Sequence, residues 1–117
     1  MAWAKAGTTT LTSTGDNVSV TGTASKFNQI LFHKINDSSS GVNGDFTNAF
    51  IINNSANEKL IIYHQVAIVT LGAGTAPSRQ EGVGKWTNTS SQITSINIST
   101  ASDSMPVGWT IKVWGSN

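Results

Sequence analysis

The chain reads as all-β, an antiparallel β-sandwich, and three observations predict it. Charged residues make up 11% of its 117 residues, against roughly 25% in an ordinary soluble domain; the ionic side chains that coat exposed helix faces are scarce. Ser, Thr, Asn and Gly together approach half the sequence. Apolar residues fall in short runs or alternate, and polar turn clusters punctuate them.

Taken in order, Thr8–Ser13 and Val18–Thr21 read as short strands around the turn Thr14-Gly15-Asp16-Asn17. Phe27–Ile35 is a stronger strand, with Leu31, His33 and Ile35 on one face and Ile30 and Phe32 on the other. Asn36–Gly44 is the longest turn-like stretch and reads as a surface loop. Asp45–Asn53 carries the run Ala49-Phe50-Ile51-Ile52, the mark of a buried strand. After the turn Asn53–Asn57, the β-branched and aromatic residues of Lys59–Leu71 favour a long strand over a helix. Gly72–Arg79 is a loop, and Val83–Thr89, Gln92–Ser99 and Trp109–Trp114 are three more strands. In the last, Trp109, Ile111 and Val113 alternate with Thr110, Lys112 and Trp114. The total is about eight strands in one domain spanning 1–117, a pattern that suits a jelly roll first and a closed barrel second. A core of this size leaves little margin over chain entropy, so a subunit interface would add useful stability.

Composition narrows the function classes. Seven basic and six acidic residues give a net charge of +1, with no basic patch to neutralise phosphates, so nucleic acid is not an expected partner. The absence of cysteine removes disulfides, a thiol nucleophile and thiolate metal sites. Met1–Gly7 has no apolar core of a signal peptide, and Leu60–Tyr63 and Val66–Leu71 are too short to span a bilayer. The expectation is a protein made without a leader and without membrane contact.

Chemistry is hard to find in the pattern. His33 and His64 sit mid-strand, and with Glu58, Asp37 or Asp45 they could in principle form a metal site or an acid/base pair. No HxH or HExxH spacing joins them, and imidazoles packed between strands account for both. Asp16, Asp37, Asp45 and Asp103 fall in turns, where carboxylates bond local amides. Gly72-Ala-Gly-Thr and Gly82-Val-Gly-Lys85 match no phosphate loop, and no helix follows either. The sequons at Asn17, Asn88 and Asn97 are what chance yields in so Asn- and Ser-rich a chain. No catalytic residue, cofactor or metal is expected, and the chain is not read as an enzyme.

Aromatics carry more information. Four tryptophans each need an apolar seat and a partner for the indole N–H. Trp109 shares a face with Ile111 and Val113 and belongs to the core. Trp3, Trp86 and Trp114 lie near strand ends or on the other face, where an intersubunit contact or a sugar ring could take them.

From Phe50 to Gly115 the chain resembles a family of small bacteriophage virion proteins. The residues that carry the likeness are Phe50-Ile-Ile-Asn-Asn-Ser-Ala-Asn-Glu-Lys-Leu60, Gly72-Ala-Gly-Thr-Ala-Pro-Ser-Arg79, Gly84-Lys-Trp-Thr-Asn-Thr-Ser-Ser-Gln-Ile-Thr-Ser-Ile96 and Val113-Trp-Gly115. Members are often longer between the first strands and the Phe50 segment; here Asn36–Gly44 stands in place of that insertion. The resemblance implies a jelly-roll-like virion component, a capsid decoration (cement) protein or a tail or fibre part. It also implies a symmetric homo-oligomer, often a trimer, whose partners are itself and the major capsid or a tail protein. On that expectation Met1–Gly7 with Trp3 is a docking arm, and Arg79, Lys85, Trp86 and Trp114 are further assembly residues. The alternative is a carbohydrate- or receptor-binding tail module, with Trp86, Trp114 and Tyr63 as stacking platforms and Asn36–Asp45 as sugar ligands.

Overall fold

Alternating β-branched and polar residues, with no run of strong helix formers, leave the backbone to pair between strands. The computed structural model describes residues 2–13, 15, 17–34, 44–68, 70–100, 105 and 107–117. Its strands are β1 (Ala4–Thr10), β2 (Asn17–Thr21), β3 (Phe27–Lys34), β4 (Asp45–Ile52), β5 (Lys59–Ala67), β6 (Ser78–Trp86), β7 (Ser95–Ser99) and β8 (Thr110–Ser116). Six form one antiparallel sheet in the order β1-β8-β3-β4-β5-β6, and β2 pairs with β7 in a second, two-stranded sheet.

The β2–β7 ribbon lies against β1 and β8. The register Val18↔Ile98 and Val20↔Ile96 turns all four side chains to one side. They meet Ile30 of β3, Ala49 and Ile51 of β4, Met105, and Ile111 and Val113 of β8, the last two wholly buried. Burying such side chains contributes roughly 2–3 kcal/mol each. Trp109 joins this core, its ring stacked on Phe32 with centroids 4.6 Å apart. Gly7 allows β1 to come this close to the ribbon, because a side chain there would overlap Val20. The architecture is a β-sandwich. Its β1·β8, β2·β7 and β4·β5 pairings are those of a jelly roll, whereas β3 pairs with β4, and β4–β5–β6 continue the same sheet as a meander. The sheet is open rather than closed into a barrel, with β1 and β6 as its edges.

Several boundaries differ from the sequence reading. Strand β1 begins at Ala4, so the expected docking arm Met1–Gly7 is largely a paired edge strand, and Ala2 and Trp3 alone precede it among the described residues. Strand β6 runs Ser78–Trp86 instead of Val83–Thr89. Its polar first half shows no alternation because neither face is covered, and ladder hydrogen bonds to β5 define it instead. Strand β5 ends at Ala67, short of Leu71, and β7 starts at Ser95 instead of Gln92. Asp45 opens β4 and is not a turn residue. Ile35 and most of the Asn36–Gly44 loop, with Asp37, Asp16 and Asp103, lie outside the described residues.

Candidate assembly surface

Two segments, Phe50–Leu60 and Gly84–Ile96, meet in space, and a buried asparagine and a buried lysine join them. Asn53 follows β4 and is fully buried. Its amide donates to the Ile93 carbonyl at 3.0 Å and to Asn28 Oδ1 at 3.1 Å, while its Oδ1 accepts the Ile93 N–H at 2.6 Å. Its backbone carbonyl accepts Gln92 Nε2. The 87–94 loop is thereby held to the end of β4 as a strand partner would hold it.

Lys59, the first residue of β5, is 2% exposed. Its ammonium donates to three backbone carbonyls, Asn88 at 2.6 Å, Asn57 at 2.7 Å and Ser55 at 3.2 Å, and lies 5.4 Å from the Trp86 ring centre. Asn88 presents its carbonyl because its own Oδ1 accepts the N–H groups of Ser90 and Ser91, an Asx-type turn. A charge so buried needs its donors satisfied; here carbonyls of two loops satisfy all three. The Asn53, Lys59, Trp86, Asn88, Gln92 and Ile93 of the quoted blocks thus form one structural clasp.

The outer face of the large sheet has a different character. The register Phe27↔Ile52, Ile52↔Leu60, Phe50↔Ile62 and Ile62↔Val83 places apolar side chains side by side across four strands. Phe50, Ile52, Leu60 and Ile62 are each close to half exposed, and Val83 is 82% exposed. Trp3 adds its ring, and with Phe27, Phe50, Ile52, Leu60 and Ile62 it lines a depression of about 340 Å³. The sequence reading took Ala49–Ile52 for a buried strand, but only Ala49 and Ile51 face the core. Apolar residues at both parities of β4 and β5 were the signal that both faces need cover.

The residues expected to mediate assembly are dispersed. Trp3 is at the rim of this apolar face. Arg79 and Lys85 flank Val83 on the exposed edge strand β6, Arg79 paired with Glu81 and Lys85 with Glu58 at 3.1 Å. Trp86 is on the opposite face over Lys59, and Trp114 lies on the outer face of β8, in register with Lys5 and Gln29. Tyr63 covers Gly82 on the inner face, where a methyl group at residue 82 would overlap its ring.

The titratable groups are spread as well. His64, expected between strands, is an exposed side chain 3.4 Å from Glu81, since no layer among the described residues covers β5's outer face. His33 is half-buried; burial, and then the Lys112 ammonium, hold its imidazole below the ordinary 6.5. Burial raises the Asp45 carboxyl above 3.8, against the Gln65 amide hydrogen bond that lowers it. Among the described residues no group of three His, Asp or Glu side chains is placed to hold a metal ion. Compared with family models, curated proteins and solved structures, the chain matches none.

Proposed function

We propose that the chain is a structural subunit of a bacteriophage virion, a capsid decoration (cement) protein that acts as a homo-oligomer and stabilises the shell by bridging its subunits. The observation that supports this reading is the outer sheet face: Trp3, Phe50, Ile52, Leu60, Ile62 and Val83 form one exposed apolar surface on a protein with few charges. Contiguous apolar surfaces of this kind mark protein-binding sites, and a chain with 11% charged residues has few ions to desolvate on binding. The resemblance in Phe50–Leu60 and Gly84–Ile96 is what points toward a phage particle, and the exposed apolar face supports attachment as the means of action.

Co-sedimentation with purified capsids and, separately, tails tests the proposal. Binding to capsids at a fixed ratio to the major shell protein, lost on Ile62→Asp, is the expected result. Ile62 is 50% exposed, so the substitution leaves the fold standing. Failure to bind capsids, or association with tails instead, overturns the decoration reading.

A further inference from the structure

The two edges of the large sheet are built differently. At β1 the ladder to β8 shifts register between Lys5 and Gly7, a bulge of the kind that discourages a further strand. At β6 the ladder to β5 runs without irregularity from Lys59↔Trp86 to Ala67↔Ser78. Strand β6 is nine residues long, has no proline, and is exposed throughout except at Gly82 and Gly84. Among the described residues no strand pairs with its free side, whose alternate residues present N–H and C=O groups outward, the usual template for strand addition.

Charge order selects what can be added. On its outer face β6 reads Arg79, Glu81, Val83, Lys85. Antiparallel pairing of this strand with itself must place outer-face residues opposite outer-face residues, which leaves only alternate registers. Centring on Gly82 sets Arg79 against Lys85, and centring on Glu81 sets Glu81 against itself; both are repulsive. Centring on Gln80 sets Arg79 against Glu81 twice but overlaps only residues 78–82 of the strand. Centring on Val83 overlaps residues 80–86 and sets Glu81 against Lys85 twice, Val83 against Val83, and Gly82 against Gly84, with no like-charge pair; it combines charge complementarity with the longer ladder.

We infer that two copies of this chain join β6 to β6, antiparallel about a two-fold axis at Val83, into one continuous sheet. The contact is isologous, so each favourable pair occurs twice. It explains why a valine stands almost bare at the middle of an edge strand: Val83 meets its own copy, and the stripe Phe50–Ile62–Val83 continues into the second subunit as one larger apolar face. The inference rests on the homo-oligomeric part of the proposed function, and it names a two-fold contact that cannot by itself close a trimer.

The chain has no cysteine, which makes the register directly testable. Directly opposed residues in an antiparallel pair lie about 4.5–5.5 Å apart, within disulfide range. Val83→Cys should cross-link to a covalent dimer under mild oxidation. Glu81→Cys should not, because its copy would lie four residues along the ladder, roughly 14 Å away. Light scattering should give a dimer mass for the unmodified protein. Lys85→Glu or Glu81→Lys alone should weaken the dimer about tenfold, and the double reversal should restore it. Those substitutions also touch Glu58, Arg79 and His64, and rescue by the double variant separates the intersubunit effect from these. A monomer mass, a trimer indifferent to both reversals, or equal cross-linking at 81 and 83 overturns the inference. A monomer that still decorates capsids would overturn it while leaving the proposed function intact; a β6-linked dimer that ignores capsids would do the reverse.

Discussion

Strands β8 and β5 belong to the same sheet and both are rich in β-branched residues, yet they end in opposite circumstances. Ile111 and Val113 of β8 are wholly buried beneath the β2–β7 ribbon, while Leu60 and Ile62 of β5 stand about half exposed on the outer face. The ribbon is only two short strands wide and lies against β1 and β8. The β4–β6 wing extends beyond it, and the radius of gyration, 15.4 Å, exceeds the about 13 Å expected for a compact chain of this length. One half of the protein is thus stabilised by its own packing. The β4–β6 wing carries apolar side chains on the face turned away from the ribbon, Phe50, Ile52, Leu60 and Ile62, and nothing among the described residues covers them.

The largest effect should come from the covered half. Ile111→Ala should cost about 3–4 kcal/mol, because Ile111 is wholly buried in the core cluster, between Thr9 and Phe32 in the ladder, and the emptied site cannot readily collapse. Ile62→Ala, the same change in the wing, should cost less than about 1 kcal/mol. Urea denaturation of the isolated subunit measures both, and equal losses would break the comparison.

Next in size is the clasp that ties the wing to the rest. Asn53→Ala removes the side-chain partner of the Ile93 N–H and one of two donors to the Ile93 carbonyl, Thr23 Oγ1 at 3.3 Å remaining, and should cost about 2 kcal/mol because Asn53 itself is fully buried. Hydrogen exchange should speed up first in residues 87–94, and protection there unchanged from the parent protein would show that the loop is held by something else. Within the wing, Gly82→Val should cost about 1 kcal/mol: the Tyr63 ring must leave its bed, but a half-exposed ring can swing aside. Loss of the upfield shift of the residue 82 α-proton would report that movement by NMR.

The smallest effect is a pH dependence at the foot of β3. The His33 imidazole is held below 6.5 in the folded chain, so the unfolded chain binds the proton more readily. Its contribution is present above pH 6.5 and is lost as the pH falls from there through the folded value. Asp45, raised above 3.8, has the opposite sign: it favours the folded state at low pH, an effect lost as the pH rises through its folded value. The melting temperature should therefore dip modestly below pH 6.5, and His33→Gln should flatten the dip; an unchanged slope would assign it elsewhere.

Much of the fold was legible because alternation and turn chemistry act locally. The existence of eight strands among the described residues, the inward set Trp109, Ile111 and Val113, and the β-sandwich all follow from period-two patterning. The misplaced start of β6 has a plain reason: Ser78–Glu81 bury nothing, so no hydrophobic signal marks a strand held only by its ladder. The candidate surface was half legible. Trp3 could be singled out from residue type, whereas Phe50, Ile52, Leu60 and Ile62 read as core because their apolar run carries no sign of which face the ribbon covers.

By itself, then, the sequence determined the strand class, the core of β8 and the absence of cysteine chemistry, since these depend on residue type and local period. Tertiary structure alone decided that β2 and β7 cover one half of the sheet, that Asn53 and Lys59 clasp two distant loops, and that β6 is left as an open edge. Each of these depends on which strands become neighbours. The long-range register of antiparallel pairs sets that choice, and nothing in the period of a single strand contains it.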